Sequence, residues 1–156
     1  MAHLASPGSF VEKLLDRLLE YKLEQTRRLA STGIDIFGVG GDIAMHTRLF
    51  MWPEVWREHF KWRDALLIEE AKKYGVEHFF FHTNGNLMEA IADLIEIGFT
   101  IFAPIQPECM DPYEIRARWG DRITLHSTIS SQQTLPFDTV EEVRQEVRER
   151  IARCGR

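Results

Sequence analysis

The chain is 156 residues long, 44% hydrophobic and 28% charged, which bounds it to one soluble globular domain with room for a real core. Its net charge of -5 speaks against nucleic acid or an anionic membrane as the main partner, and no apolar run approaches the roughly 20 residues of a membrane span. The N-terminus lacks the pattern of a signal peptide, and the two cysteines, Cys109 and Cys154, lack metal-type spacing and suggest a reducing, cytoplasmic setting.

Met1 to Gly8 reads as a loose lead-in. Ser9 and Glu12 have the spacing of a capping box, and Phe10, Leu14, Leu15, Leu18, Leu19, Leu23 and Leu29 keep helical spacing to about Ala30. Thr32-Gly33 ends that helix, and a first strand, Ile34 to Val39, runs into Gly40-Gly41-Asp42. Two glycines before an acid let the backbone approach something closely. Asp42 then either projects from the mouth of the sheet or caps a short helical turn. The large side chains from Met45 to Trp52 are expected to pack as core over the end of the sheet rather than to line a ligand pocket. Pro53 suits a first helical position, and the helix it opens should run to Lys73 with Trp56, Phe60, Leu67 and Ile68 among its apolar positions.

Tyr74-Gly75 leads into Val76–Phe81, too short for a helix face and of the β-branched and aromatic character of a buried strand. The cluster His82, Thr83, Asn84, Gly85, Asn86 falls at that strand's C-terminal end, where βα proteins place their chemistry. Asn86 and Glu89 are spaced as an N-cap and its N3 partner, which starts the next helix at Leu87 and carries it to Ile97, with Ile91, Leu94 and Ile95 inward. A third strand, Phe99 to Pro104, ends in Ile105-Gln106-Pro107-Glu108, which offers Gln106 and Glu108 at the same end. Asp111-Pro112-Tyr113-Glu114 reads as a helix start. A fourth strand, Arg122 to His126, opens a hydroxyl-rich loop, and Thr139 with Glu142 boxes a last helix from Val140 to about Arg153, whose Glu and Arg residues read as a solvated face.

Each strand follows a glycine (Gly33, Gly75, Gly98, Gly120) placed as a left-handed helix terminator. Four such units argue for an α/β fold with a parallel sheet and right-handed crossovers. The chain carries no phosphate-binding G-x-x-x-x-G-K, no G-x-G-x-x-G, no H-E-x-x-H and no G-x-S-x-G, so candidate site residues come from strand ends alone. Those residues are Asp42, His82, Asn84, Gln106 and His126, and no catalytic role is assigned to any of them.

Taken together, I-D-I-F-G-V-G-G-D-I-A-M at 34–45, W-P-E-V-W-R-E-H-F-K from Trp52, E-E-A-K-K-Y-G-V at 69–76, F-F-H-T-N-G-N at 80–86, I-Q-P-E-C-M-D-P at 105–112 and G-D-R-I-T-L-H-S-T-I-S at 120–130 resemble the uroporphyrinogen decarboxylase superfamily. That group includes the decarboxylase of haem biosynthesis and the corrinoid-dependent methyltransferases. The resemblance implies a (β/α)8 TIM barrel, which needs about 250 residues, so the four units here correspond to a half-barrel fragment. One domain, 1–156, truncated at both ends relative to the family, is the expected organisation. The family's catalytic aspartate and carboxylate-binding arginines would lie in the missing N-terminal strands.

On the decarboxylase reading, acetate carboxyls are removed from a cyclic tetrapyrrole without metal or organic cofactor, and the five residues above would surround that substrate. On the alternative reading the protein is of the methyltransferase type. In that branch zinc is held by H-x-C after the fifth strand, and here His82-Thr83-Asn84 has asparagine for the cysteine, a poor ligand for zinc, so no metal site is assigned. A third reading is a non-catalytic half-barrel subunit. Expected partners are a tetrapyrrole or other small molecule, and a second copy in a homodimer or a complementary half-barrel, since four strands cannot close a barrel.

Overall fold

In the computed structural model, which describes residues 9–155, four parallel strands alternate with helices in an α/β fold. The lead-in expected at Met1 to Gly8 lies outside the described residues. Helix α1 (Phe10–Ala30) begins where the Ser9 hydroxyl accepts the Glu12 N–H at 3.2 Å. The strands are β1 (Ile36–Gly40), β2 (His78–His82), β3 (Ile101–Ala103) and β4 (Thr124–Leu125), in the spatial order β1-β2-β3-β4. Between β1 and β2 run α2 (Pro53–Trp56), a π-helical turn (Arg57–Lys61) and α3 (Trp62–Lys72). Helix α4 (Ile91–Ile97) precedes β3, α5 (Pro112–Trp119) precedes β4, and α6 (Thr134–Phe137) and α7 (Val140–Cys154) follow it.

Sequential order with parallel pairing means that every crossover turns the same way and lays its helix on the same side of the sheet. The burial pattern records this. Phe37 and Val39 on β1, Phe79 and Phe81 on β2 and Phe102 on β3 are buried, and with Leu67, Ile68, Ile91, Leu94, Ile115 and Trp56 they make the core. Their neighbours Ile36, Gly38, Gly40, His78 and His82 point the other way and are exposed. In an open α/β sheet helices cover both faces, whereas a barrel puts all of them outside. One covered face and one bare face is the arrangement of a half-barrel.

Each strand starts two residues later than the sequence suggested, and β4 keeps only two of five expected residues. Strand β4 is in register with β3 at Ile101–Thr124 and Phe102–Leu125. Gly33, Gly75 and Gly98 adopt positive φ as expected, but Gly120 does not, at φ -61°. The helix after β1 is interrupted by the π-helical turn, which sets Arg57 (2.9 Å) and Lys61 (2.8 Å) against the Asp93 carboxylate of α4. Burial would push that carboxyl up, but the hydrogen bonds from Lys61 and Arg57 outweigh it and hold it below the usual carboxylate range. Asp111 caps α5 by accepting the Tyr113 N–H at 2.8 Å, and Thr139 and Glu142 form the full capping box of α7. Helix α4 begins at Ile91 rather than Leu87, and the Asn86 N–H donates to the Met45 carbonyl (2.8 Å) and not to Glu89.

Candidate functional site

The carboxyl ends of the strands are tied to one another by a chain of backbone contacts. The Gly41 N–H donates to the His82 carbonyl (3.0 Å), and the Thr83 N–H donates to the Ala103 carbonyl (3.0 Å). Buried Thr83 accepts the Ile43 N–H on its hydroxyl at 3.1 Å. Asp42 lies between these links. Its Oδ1 accepts both the Asn84 N–H (2.9 Å) and the Asn84 side-chain amide (3.3 Å), so it neither caps a helix nor stands free. The carboxylate fixes the loop after β2 and remains exposed.

Gly85 follows, and only glycine fits there. Its φ is +88°, and a Cβ would lie 2.5 Å from the Met45 carbonyl oxygen and 2.9 Å from Ala44. The Gly85 N–H donates to Gln106 Oε1 at 2.7 Å, which joins the loops after β2 and β3. Asn86 continues the seam, donating its amide to the Cys109 carbonyl (2.7 Å) and accepting the Met88 N–H (3.0 Å).

His82 is the last residue of β2, level with Gly40 on one side and Ala103 on the other, and it is exposed on the bare face. His126 sits just past β4, held by its N–H to the Phe102 carbonyl (2.9 Å). Its ring packs edge-on to Phe80 at 5.8 Å, and its Nδ1 lies 2.8 Å from the Ser127 hydroxyl. The two imidazoles thus occupy the same face with the small side chain of Ala103 between their strands. They could donate, accept or shuttle protons toward a molecule lying on that face.

Two features of this end were missed by sequence reasoning. Cys109 Sγ approaches His46 Nδ1 at 3.4 Å and Gln106 Oε1 at 3.8 Å, with burial and the neighbouring Glu108 charge pushing the thiol up. The Ser130 hydroxyl donates to Glu108, whose carboxyl lies below its usual range. Burial would raise it, but Ser130 and the backbone N–H groups of residues 108 and 132 prevail. Neither pairing leaves a local signature, since His46 and Cys109, or Glu108 and Ser130, are far apart in the chain.

The zinc set of the methyltransferase branch does not fit these residues. The Asn84 amide nitrogen points its proton at Asp42, and among the described residues no three His, Cys, Asp or Glu side chains are grouped to hold a metal ion.

No family model matches the chain, and no curated protein matches it in sequence. Among solved structures, a methyltransferase from Methanosarcina mazei superposes with a TM-score of 0.72 at 20% identity, over 90% of this chain and 40% of that one. At that identity the likeness is one of fold, and the chain spans about 40% of the length of the protein it matches.

Proposed function

We propose that the chain is the wall of a methyltransferase-type barrel of the uroporphyrinogen decarboxylase superfamily, one domain over 1–156 that is completed by further strands. The observation that carries this reading is the fold likeness to a methyltransferase across 90% of the chain. The gathering of Asp42, His82, Asn84, Gln106 and His126 at the carboxyl end of the sheet supports it, because barrel proteins bind small molecules at that end. A corrinoid or a methylated small molecule is the ligand class. His82 and His126 would face it across the bare sheet, and the Asp42–Asn84 and Gly85–Gln106 links would hold the rim still.

Decarboxylation of uroporphyrinogen is the lesser reading, since the solved structure that resembles this chain is a methyltransferase. The chain alone is expected to turn over no uroporphyrinogen. Equilibrium dialysis against methylcobalamin and against uroporphyrin separates the two. Retention of methylcobalamin, weakened in a His82→Ala, His126→Ala double variant, is the expected result. Retention of uroporphyrin in its place would move the protein to the decarboxylase side, and retention of neither would leave a non-catalytic subunit.

A further inference from the structure

The stretch expected to be core is core in part: Leu49 belongs to it and Met51 packs against it, while two aromatics do not. Between β1 and α2, Leu49 is buried, but Phe50 is 51% and Trp52 65% exposed. These two aromatics stand on the wall of a cavity of about 500 Å3, which Met51, Arg48, Met88 and Glu89 help to line. That volume lies within the roughly 300–1,000 Å3 of small-molecule sites. It is separate from the bare sheet face and is formed by the loops after β1 and β2.

The loop that carries the aromatics is strapped down. Ala44 and Leu49 form an antiparallel bridge, the Met45 N–H donates to the Arg48 carbonyl (2.7 Å), and the Phe50 N–H donates to the Ile43 carbonyl (2.9 Å). On the other bank the Met45 carbonyl accepts the Asn86 N–H, and Gly85 lets the two backbones touch. Both walls are therefore fixed before any ligand arrives, which removes much of the ordering cost of binding. Exposed aromatics on a rigid concave wall are an unusual use of side chains that would otherwise be buried.

Charge decides the class of occupant. The Arg48 guanidinium has no ion pair or side-chain hydrogen bond among the described residues, and neither has the Glu89 carboxylate on the opposite bank. Arg48 lines the same cavity as Phe50, Trp52, Met51 and Met88, a combination that matches a carboxylate carried on a flat apolar ring. Glu89 favours a donor, such as an amine, at the far end of that ring and repels a second anion.

We propose that this cavity binds a small aromatic carboxylate, with its acid group on Arg48, its ring against Phe50, Trp52 and the two methionines, and any donor group toward Glu89. The site depends on neither closure of the sheet nor the methyltransferase reading. Naphthoate, aminonaphthoate, naphthol and naphthylmethylammonium, titrated calorimetrically into the full chain, test it. Both carboxylates should bind saturably and the other two more weakly. Arg48→Gln should weaken naphthoate about tenfold or more, as loss of a charge-assisted contact implies. Glu89→Gln should leave naphthoate as tight or tighter and remove the advantage of aminonaphthoate. Arg48 and Glu89 are on the surface of their loops, so circular dichroism should show both variants folded. A paired Phe50→Ser, Trp52→Ser variant should lose binding of every ring. Absence of saturable binding, equal binding of naphthol, or an unchanged Arg48→Gln affinity overturns the proposal.

Discussion

At the scale of single residues, Asp64 and Gly85 carry the sharpest expectations. Burial of Asp64 on α3, opposed by Lys22 of α1, pushes its carboxyl from 3.8 up to about 6. The folded protein therefore holds the Asp64 proton more tightly than the unfolded chain does. The penalty is absent below the ordinary value, grows as pH rises toward 6 and is complete above it. Asp64→Asn should stabilise the protein by about 1–3 kcal/mol at pH near 7, and the gain should vanish near pH 4 in urea unfolding series. A gain that is the same at both pH values would refute the assignment. Gly85→Ala meets the Met45 carbonyl at 2.5 Å with a backbone at φ +88°. It should cost about 2 kcal/mol or more in the same measurement and disturb the loop that holds Phe50 and Trp52. A neutral effect would mean that the loop gives way freely.

At the scale of elements, helix boundaries were the most legible feature. Ser9, Asp111 and Thr139 cap as their side-chain chemistry requires, and Ile91, Leu94 and Ile95 take the inward face of α4. The glycine-strand-helix repeat was enough for a parallel α/β sheet. What could not be read were contacts made across the chain. The Asn86 N–H goes to Met45, 41 residues earlier. Likewise Arg57 and Lys61 of the π-helical turn pair with Asp93 on another helix, and Phe50 and Trp52 stand exposed on a loop bonded to the one after β2. Of the candidate site, the positions at strand ends were legible, while the pairing of Asp42 with Asn84 and of His46 with Cys109 was not. Helix α7 gives a prediction of its own. It is well capped, yet buries none of its residues fully. Thr139→Ala removes a cap of about 1 kcal/mol, and that loss should appear as faster amide exchange within α7 while the main unfolding midpoint hardly moves. A matching drop in the midpoint would show that α7 is part of the core after all.

At the scale of the whole molecule, one sheet face is bare and both outer strands have unpaired edges among the described residues. The helices beside those edges also carry apolar side chains outward: Phe10, Leu14 and Tyr21 on α1, and Val140, Val147 and Ile151 on α7. Exposed apolar area costs roughly 25 cal/mol per Å2, so association that covers it is favoured. Sedimentation at micromolar concentration should show a homodimer, or capture of a complementary half-barrel when one is supplied, and a compact monomer would sink that expectation. The same edges bear on a different hazard. Strand β1 is Ile-Phe-Gly-Val-Gly, with two glycines in five residues, and β4 is two residues long. Glycine is a poor β former and a very short strand is a poor template, so neither edge offers a length on which chain after chain could stack. Thioflavin T should stay dark over days of agitation. Of the two edges left uncovered among the described residues, one is rich in glycine and the other is very short.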